Sequence, residues 1–286
     1  MIRDAQRPIR IGVQIKPAHA DYAQIRRACA AAEEAGVDII FNWDHFWPLG
    51  RGAKAEGKHF ECWTMLGAWA ETTSRVEFGP LVSAIGYRNP DLLADMARTV
   101  DHMSGGRLVL GIGAGFREKE YAEYGYPFGT PAERASQLES GLVRIERRLA
   151  VLNPPPVRKI PVLVAGAGER KTLALVAQHA DIWNALLPDE ESYVRKSRLL
   201  DEHCARIGRD PGTIERSVLV AGPPEDLGER HLALGATLFI VGIYPRDDLA
   251  EVERWVAWRD RRNDRGARQL VGVWLARTVG RADMAA

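Results

Sequence analysis

The segment Asn42-Trp43-Asp44-His45-Phe46 sets a carboxylate beside an imidazole immediately after the apolar run Val37-Asp38-Ile39-Ile40-Phe41. An imidazole titrates near neutrality, which suits giving or taking a proton beside a redox centre. That chemistry is open to His45; a hydrogen-bonded structural histidine is the plainer reading. Asp44 also has two readings, one as the group that orients an imidazole or a cofactor ring N–H, the other as a turn cap. Farther on, Val164-Ala165-Gly166-Ala167-Gly168-Glu169-Arg170 places small residues between an apolar strand and a helix. Main-chain N–H groups left free at a positive helix end bind phosphate, and Arg170 at the helix start opposes the dipole unless an anion sits nearby. The same residues suit a tight turn with close packing, since the full pattern of a dinucleotide fingerprint or a P-loop is lacking. Gly111-Ile112-Gly113-Ala114-Gly115 either lets a flat ring approach the backbone or simply bends a strand. Trp43, Trp47, Trp63, Trp69 and Phe46 crowd one stretch; most read as core, and Trp47, beyond the strand, is the candidate substrate wall.

These residues act together only if the chain brings them to one place, and an alternation of strands and helices does so. Residues 10–15 form a short apolar strand closed by Pro17, after which Asp21 caps a helical pattern through Ile25, Ala28, Cys29 and Ala32 that stops at Gly36. The pattern recurs with strands at 37–41, 76–82, 107–112, 162–165, 181–185, 217–221 and 237–242. The matching helices are at 60–74, 90–103, 132–152, 169–178, 190–207, 225–234 and 246–262, with a stiff Pro-rich break at 153–156. Eight βα units match a closed (β/α)8 barrel of the α/β class, the TIM barrel. An open doubly wound sheet alternates too, but it usually has a Gly-rich turn after its first strand, where this chain has Lys16-Pro17-Ala18-His19.

In a barrel the C-terminal strand ends and the loops after them converge on one mouth. They bring there Gln14 and Lys16 from the first strand, Asn42, Asp44 and His45 from the second, and Ser83, Tyr87, Arg88 and Asn89 from the third. The fourth adds residues 113–117, the fifth 166–170, and the sixth Trp183 and Asn184. No other histidine or cysteine joins His45 in a recognisable metal-ligand pattern. Two irregular pieces remain, a long loop at 113–131, of the length that tends to be functional or mobile, and a tail at 264–286. The tail carries Leu270, Val271, Val273, Trp274 and Leu275, too apolar to be simply solvated, and is expected to pack on the barrel or on a second subunit.

Composition narrows the function classes. A chain of 286 residues without a linker-like stretch suits one barrel domain over 1–286. Its 39 basic and 38 acidic side chains nearly cancel and are mixed along the chain, which leaves no long-range field for nucleic acid or an anionic membrane. A neutral small molecule is the expected partner. The three cysteines are widely spaced, so neither a disulfide framework nor a zinc site is indicated and a reducing cytoplasm is expected. Neither export nor membrane insertion is expected, because nowhere do eighteen uncharged apolar residues run together.

Taken together, the Trp-Asp-His-Phe strand end, Thr64-Met65-Leu66 to Thr73-Ser74-Arg75-Val76, Tyr87-Arg88-Asn89-Pro90, the Gly111 to Gly115 run and Val164 to Thr172 resemble the luciferase-like family of flavin and deazaflavin oxidoreductases, from about residue 9 to 260. Asp44-His45-Phe46 is similar to the branch that uses coenzyme F420. The resemblance implies a deazaflavin, or alternatively FMN, across the barrel mouth, with its phosphate on the backbone around Gly166, Ala167, Gly168, Glu169 and Arg170 and hydride transfer between ring and substrate. It further implies that His45 lies beside the ring and handles the proton, and that Asp44, Leu81, Val82, Gly113, Ala114 and Gly115 contribute to the cofactor site. A non-prolyl cis peptide at Leu81-Val82 and a homodimer are expected on the same ground. Gln14, Asn42, Trp47 and Phe116 are the candidate substrate contacts. Phe116 stands where sugar-phosphate dehydrogenases of this branch carry a glutamate, which argues against that substrate, with Glu118 or Glu120 as possible substitutes for the acid. A cofactor-binding protein without turnover is the reading from outside enzymology.

Overall fold

The computed structural model describes residues 7–49, 57–185 and 189–265. The expected packing of the tail, with Leu270 to Leu275, lies outside those residues.

Short β-rich runs form parallel strands buried on both faces: β1 (Arg10–Ile15), β2 (Ile39–Asn42), β3 (Glu77–Pro80), β4 (Ser83–Ala84), β5 (Leu110–Gly113), β6 (Val162–Ala165), β7 (Ile182–Ala185), β8 (Glu215–Val220) and β9 (Leu238–Ile243). Their order is β3-β2-β1-β9-β8-β7-β6-β5-β4. At the ends of that order, β3 falls within the strand expected at 76–82, while β4 lies just beyond it, after a cis Leu81-Val82 peptide. β3 pairs with β2 and β4 with β5, while Phe78 bridges to Leu108, so the sheet comes round to a nearly closed TIM barrel.

Inside the barrel the strands alternate, and every second residue faces the lumen. Ile39, Phe41, Leu81, Val109, Leu163, Ile182, Leu238 and Ile240 fill it as one apolar cluster. Below them Arg10 closes the floor, bonded to Glu77 at 2.5 Å and to the buried Glu215 at 3.0 Å. The outer faces of the strands pack against helices α1 (Tyr22–Glu34), α2 (Cys62–Thr72), α3 (Pro90–Ser104), α4 (Glu118–Glu123), α5 (Pro131–Val151), α6 (Thr172–His179), α7 (Glu190–Arg206) and α8 (Pro224–Ala233), and a last helix covers 250–265. Ile25, Cys29 and Ala32 of α1 show how that outer layer forms: helical spacing puts all three on the buried stripe. Fully burying a side chain the size of Leu or Phe contributes about 1.5–3 kcal/mol, and Trp69, Trp183 and Trp255 are all fully buried in this layer.

Three elements differ from the sequence expectation. The loop at 113–131 contains α4, a helix of 6 residues that is too short for a periodic signal. Helix α6 begins at Thr172 rather than 169, since 169–171 form a turn, and both Gly166 and Gly168 lie against the Thr172 side chain. The last helix begins at 250 instead of 246, since the Asp247 carboxylate accepts from Tyr244 N and Asp248 from Ala250 N, which holds 244–249 as a turn.

Candidate functional site

His45 lies past the end of β2, and its imidazole is mostly buried at the barrel mouth. Its Nδ1 is 2.7 Å from Oε2 of Glu120, a residue of α4 whose side chain is 0% exposed. The Tyr87 hydroxyl donates to the same oxygen at 2.6 Å, and the Phe46 main-chain N–H donates to Oε1 at 3.1 Å. Burial by itself would raise the Glu120 pKa, but the bonds from His45, Tyr87 and Phe46 outweigh it and hold the group below the usual carboxylate range. An ionised carboxylate only accepts, so the His45 Nδ1 must carry a hydrogen. That leaves Nε2 as the nitrogen available for proton transfer, with no hydrogen-bond partner among the described residues.

The surroundings fix this pair. Phe46 stacks on Tyr124 at 3.9 Å, Tyr87 meets Tyr121 at 4.9 Å, and Tyr121 meets Phe128 edge-on at 5.1 Å. This aromatic cluster clamps α4 against the turn after β4, which presents Glu120 to the mouth. Burial, then the bond to Glu120, raises the Tyr87 pKa, so the phenol keeps its proton and remains a donor. Trp43 and Phe116 flank the imidazole edge-on at 5.9 and 5.7 Å. Trp43 Nε1 donates at 3.0 Å to His59 Nε2, and burial followed by the neighbouring His45 pushes the His59 pKa down to about 4.

Asp44 is engaged by an arginine. It is 1% exposed and both its oxygens are engaged by Arg88, whose other contact is Glu61 at 2.6 Å. Burial would lower the Arg88 pKa, but Asp44 overrides it and the guanidinium is raised above its ordinary value. Glu61 in turn caps α2 by accepting from Trp63 N and Thr64 N. Asp44 therefore ties the β2 end to the turn before α3 and, through Arg88, to Glu61 at the start of α2.

Among the candidate substrate contacts, Asn42 is a correction. It is fully buried, donating to Cys62 O at 3.1 Å and accepting from Cys62 Sγ, so it faces the helix layer. Gln14 does face the lumen and donates to Leu81 O at 3.1 Å, supporting the break between β3 and β4. Trp47 is buried beneath the Lys119 ammonium at 5.6 Å, while Phe116 is 67% exposed at the rim. At the end of β5, a Cβ on Gly113 would lie 2.9 Å from Val82 Cγ2, and one on Gly115, whose φ is +80°, 2.2 Å from the Tyr121 hydroxyl. Val82 and Tyr121 thus account for both glycines, and Ala114 packs on the outer core.

The turn after β6 carries the residues expected to meet a phosphate. Gly166 N is bonded to Asn184 O at 3.2 Å, and the Glu169 carboxylate is held by Arg195 and Lys196. The N–H groups of Ala167, Gly168, Glu169 and Arg170 make no hydrogen bond among the described residues, and Gly168, Glu169 and Arg170 are exposed. Arg170 lies ahead of α6, not inside it. A turn of four unspent amides next to a guanidinium suits an anionic group.

Glu120 is the residue whose role the sequence conceals most: its glutamate is visible, but nothing in the spacing ties it to His45, 75 positions away. Tyr87 is legible as a strand-end residue, whereas nothing in the sequence marks His59. No cluster of three or more metal-ligating side chains occurs among the described residues, and none of their helices is long and apolar enough to cross a membrane.

Residues 7–234 match the profile of the family described as luciferase-like monooxygenase. An uncharacterized protein of Mycobacterium tuberculosis strain H37Rv is 31% identical over 215 residues, covering 68% of this chain and 74% of that protein. A second protein of the same strain, provisionally named a coenzyme F420-dependent oxidoreductase, is 28% identical over 205 residues, which are 63% of this chain and 55% of that protein. The match thus spans little more than half of that second relative. Among solved structures, an F420-dependent secondary alcohol dehydrogenase in complex with an F420-acetone adduct superposes with a TM-score of 0.75 over 87% of this chain and 97% of that one. At 16% identity, that is a likeness of fold.

Proposed function

From a chain that belongs to the luciferase-like monooxygenase family, we propose an oxidoreductase that uses coenzyme F420 and moves a hydride between the deazaflavin and a small organic molecule. The observation that carries this reading is the His45–Glu120 pair, a buried carboxylate that fixes an imidazole at the mouth with Nε2 unspent. When bound, the deazaflavin gives or takes the hydride. The chain does the rest. Glu120 keeps the hydrogen on Nδ1, which directs proton exchange with the substrate through Nε2. Trp43 and Phe116 flank the imidazole edge-on, and the neutral His59 behind Trp43 adds no competing charge.

The residues present fit the cofactor. The amides of Ala167 to Arg170 would take its phosphate, and the shelf made by Leu81, Val82 and Gly113, braced by Gln14, would take the ring. Support for F420 over FMN comes from the relative provisionally named for that coenzyme. Equilibrium titration of the purified protein with F420 and with FMN, read by tryptophan quenching, tests the assignment. The expected result is saturable F420 binding at least about tenfold tighter than FMN. Preferential FMN binding, or indifference to both at saturating concentrations, overturns it.

A further inference from the structure

Residues 10, 12, 14 and 16 alternate onto the inner side of β1 and the turn after it. Arg10 reaches the floor carboxylates, Gly12 abuts Ile39, Leu238 and Ile240 of the lumen cluster, and Gln14 reaches Leu81 O. Lys16, one step higher, enters the mouth. Its Nζ lies 4.6 Å from the centre of the Tyr244 ring, and a Cβ on Gly242 would come within 3.4 Å of it, so the missing side chain of that glycine makes the room. Lys16 is only partly exposed and makes no ion pair among the described residues. A second ammonium, that of Lys119, stands over Trp47, and the Tyr244 hydroxyl links to the same loop at Leu49 O. Aromatic faces attract a cation without cancelling its charge. A partly exposed lysine held, among the described residues, only in this way leaves a positive spot on the β1–β9 side of the mouth, across the barrel from the turn after β6.

We propose that Lys16 is the anchor for a carboxylate on the substrate, so that the protein acts on small organic acids rather than on the neutral molecules that the balanced net charge suggests. This rests on the reading of the mouth as the reaction site. The carboxylate docks on the Lys16 ammonium between Tyr244 and Gly242, leaving the reactive carbon toward His45.

Ligand-observed NMR titration with benzoate and with benzamide, matched in shape and different in charge, tests the assignment without the coenzyme. Wild-type protein is expected to bind benzoate, Lys16→Met to weaken it about tenfold or more, Lys16→Arg to retain it, and all three to bind benzamide alike. Equal benzoate affinity in wild type and Lys16→Met, or none in wild type, overturns the proposal. So does a Lys16→Met protein that loses affinity for F420 and keeps it for benzoate, since the charge then serves the coenzyme's acidic tail. Because benzoate is read in the absence of the deazaflavin, a chain that binds it through Lys16 yet ignores F420 sinks the coenzyme assignment and leaves this one standing.

Discussion

Among single residues, the proposed function rests on how Glu120 is used. Glu120→Gln removes the charge and can turn its amide toward His45, so we expect kcat/KM to fall by about 10²-fold or more with the coenzyme affinity unchanged. Tyr87→Phe, which removes one of three donors, is expected to cost less. Steady-state kinetics beside coenzyme titration separates these effects. The depressed Glu120 pKa also has a sign in stability. Its contribution is complete above the unfolded-state value, near 4.3, and is lost as pH falls through the lower folded value. The gap in urea midpoint between wild type and Glu120→Gln should therefore shrink below about pH 4; a gap that widens there contradicts the assigned ionisation. His59 gives a second titration. Its folded pKa of about 4 lies below the unfolded one, so the ring should stay neutral in an NMR titration down to that pH, and stability should decline as pH drops between the two values. A ring that protonates near neutrality refutes the burial argument.

Elements transmit these demands. Helix α4 has 6 residues and little helical stability of its own, so its position depends on the aromatic cluster and on the glycines that let Tyr121 approach. Gly115→Ala would place a methyl group against the Tyr121 hydroxyl at a backbone angle that suits glycine. We expect about 1–3 kcal/mol of destabilisation and loss of activity from a displaced Glu120, read by thermal unfolding and kinetics together. Native stability and full activity in that variant would mean that α4 does not position the site. The sequence was informative where periodicity was long, as in α1, α3, α5 and α7, and where strand ends carried polar residues, as with His45 and Tyr87. It was silent where contacts decide. Nothing local distinguishes Glu120 from Glu118, because burial under Phe46 and Tyr87 comes from tertiary packing. Asn42 read as a mouth residue since it ends a strand, yet strand alternation turns it toward Cys62.

For the whole molecule, closure of the barrel brings β1, β2, β5 and β6 to a common mouth, and the floor keeps it closed. Arg10→Met would strand the buried Glu215 without its partner, which is expected to cost about 3–5 kcal/mol in a urea unfolding experiment. A change within experimental scatter would show the floor to be dispensable. The barrel was legible from eight recurring βα units, while the division of the third strand into two was expected only at its cis Leu81-Val82 peptide, through the resemblance. In the proposed function, Glu120 keeps a hydrogen on His45 Nδ1 and leaves Nε2 free to meet a bound deazaflavin. Long-range ¹H–¹⁵N NMR of His45, recorded before and after addition of F420, tests it most directly. We predict a hydrogen on Nδ1 in both states and a shift of Nε2 on addition of F420 that FMN does not reproduce. A bare Nδ1, or an Nε2 signal indifferent to F420, contradicts it.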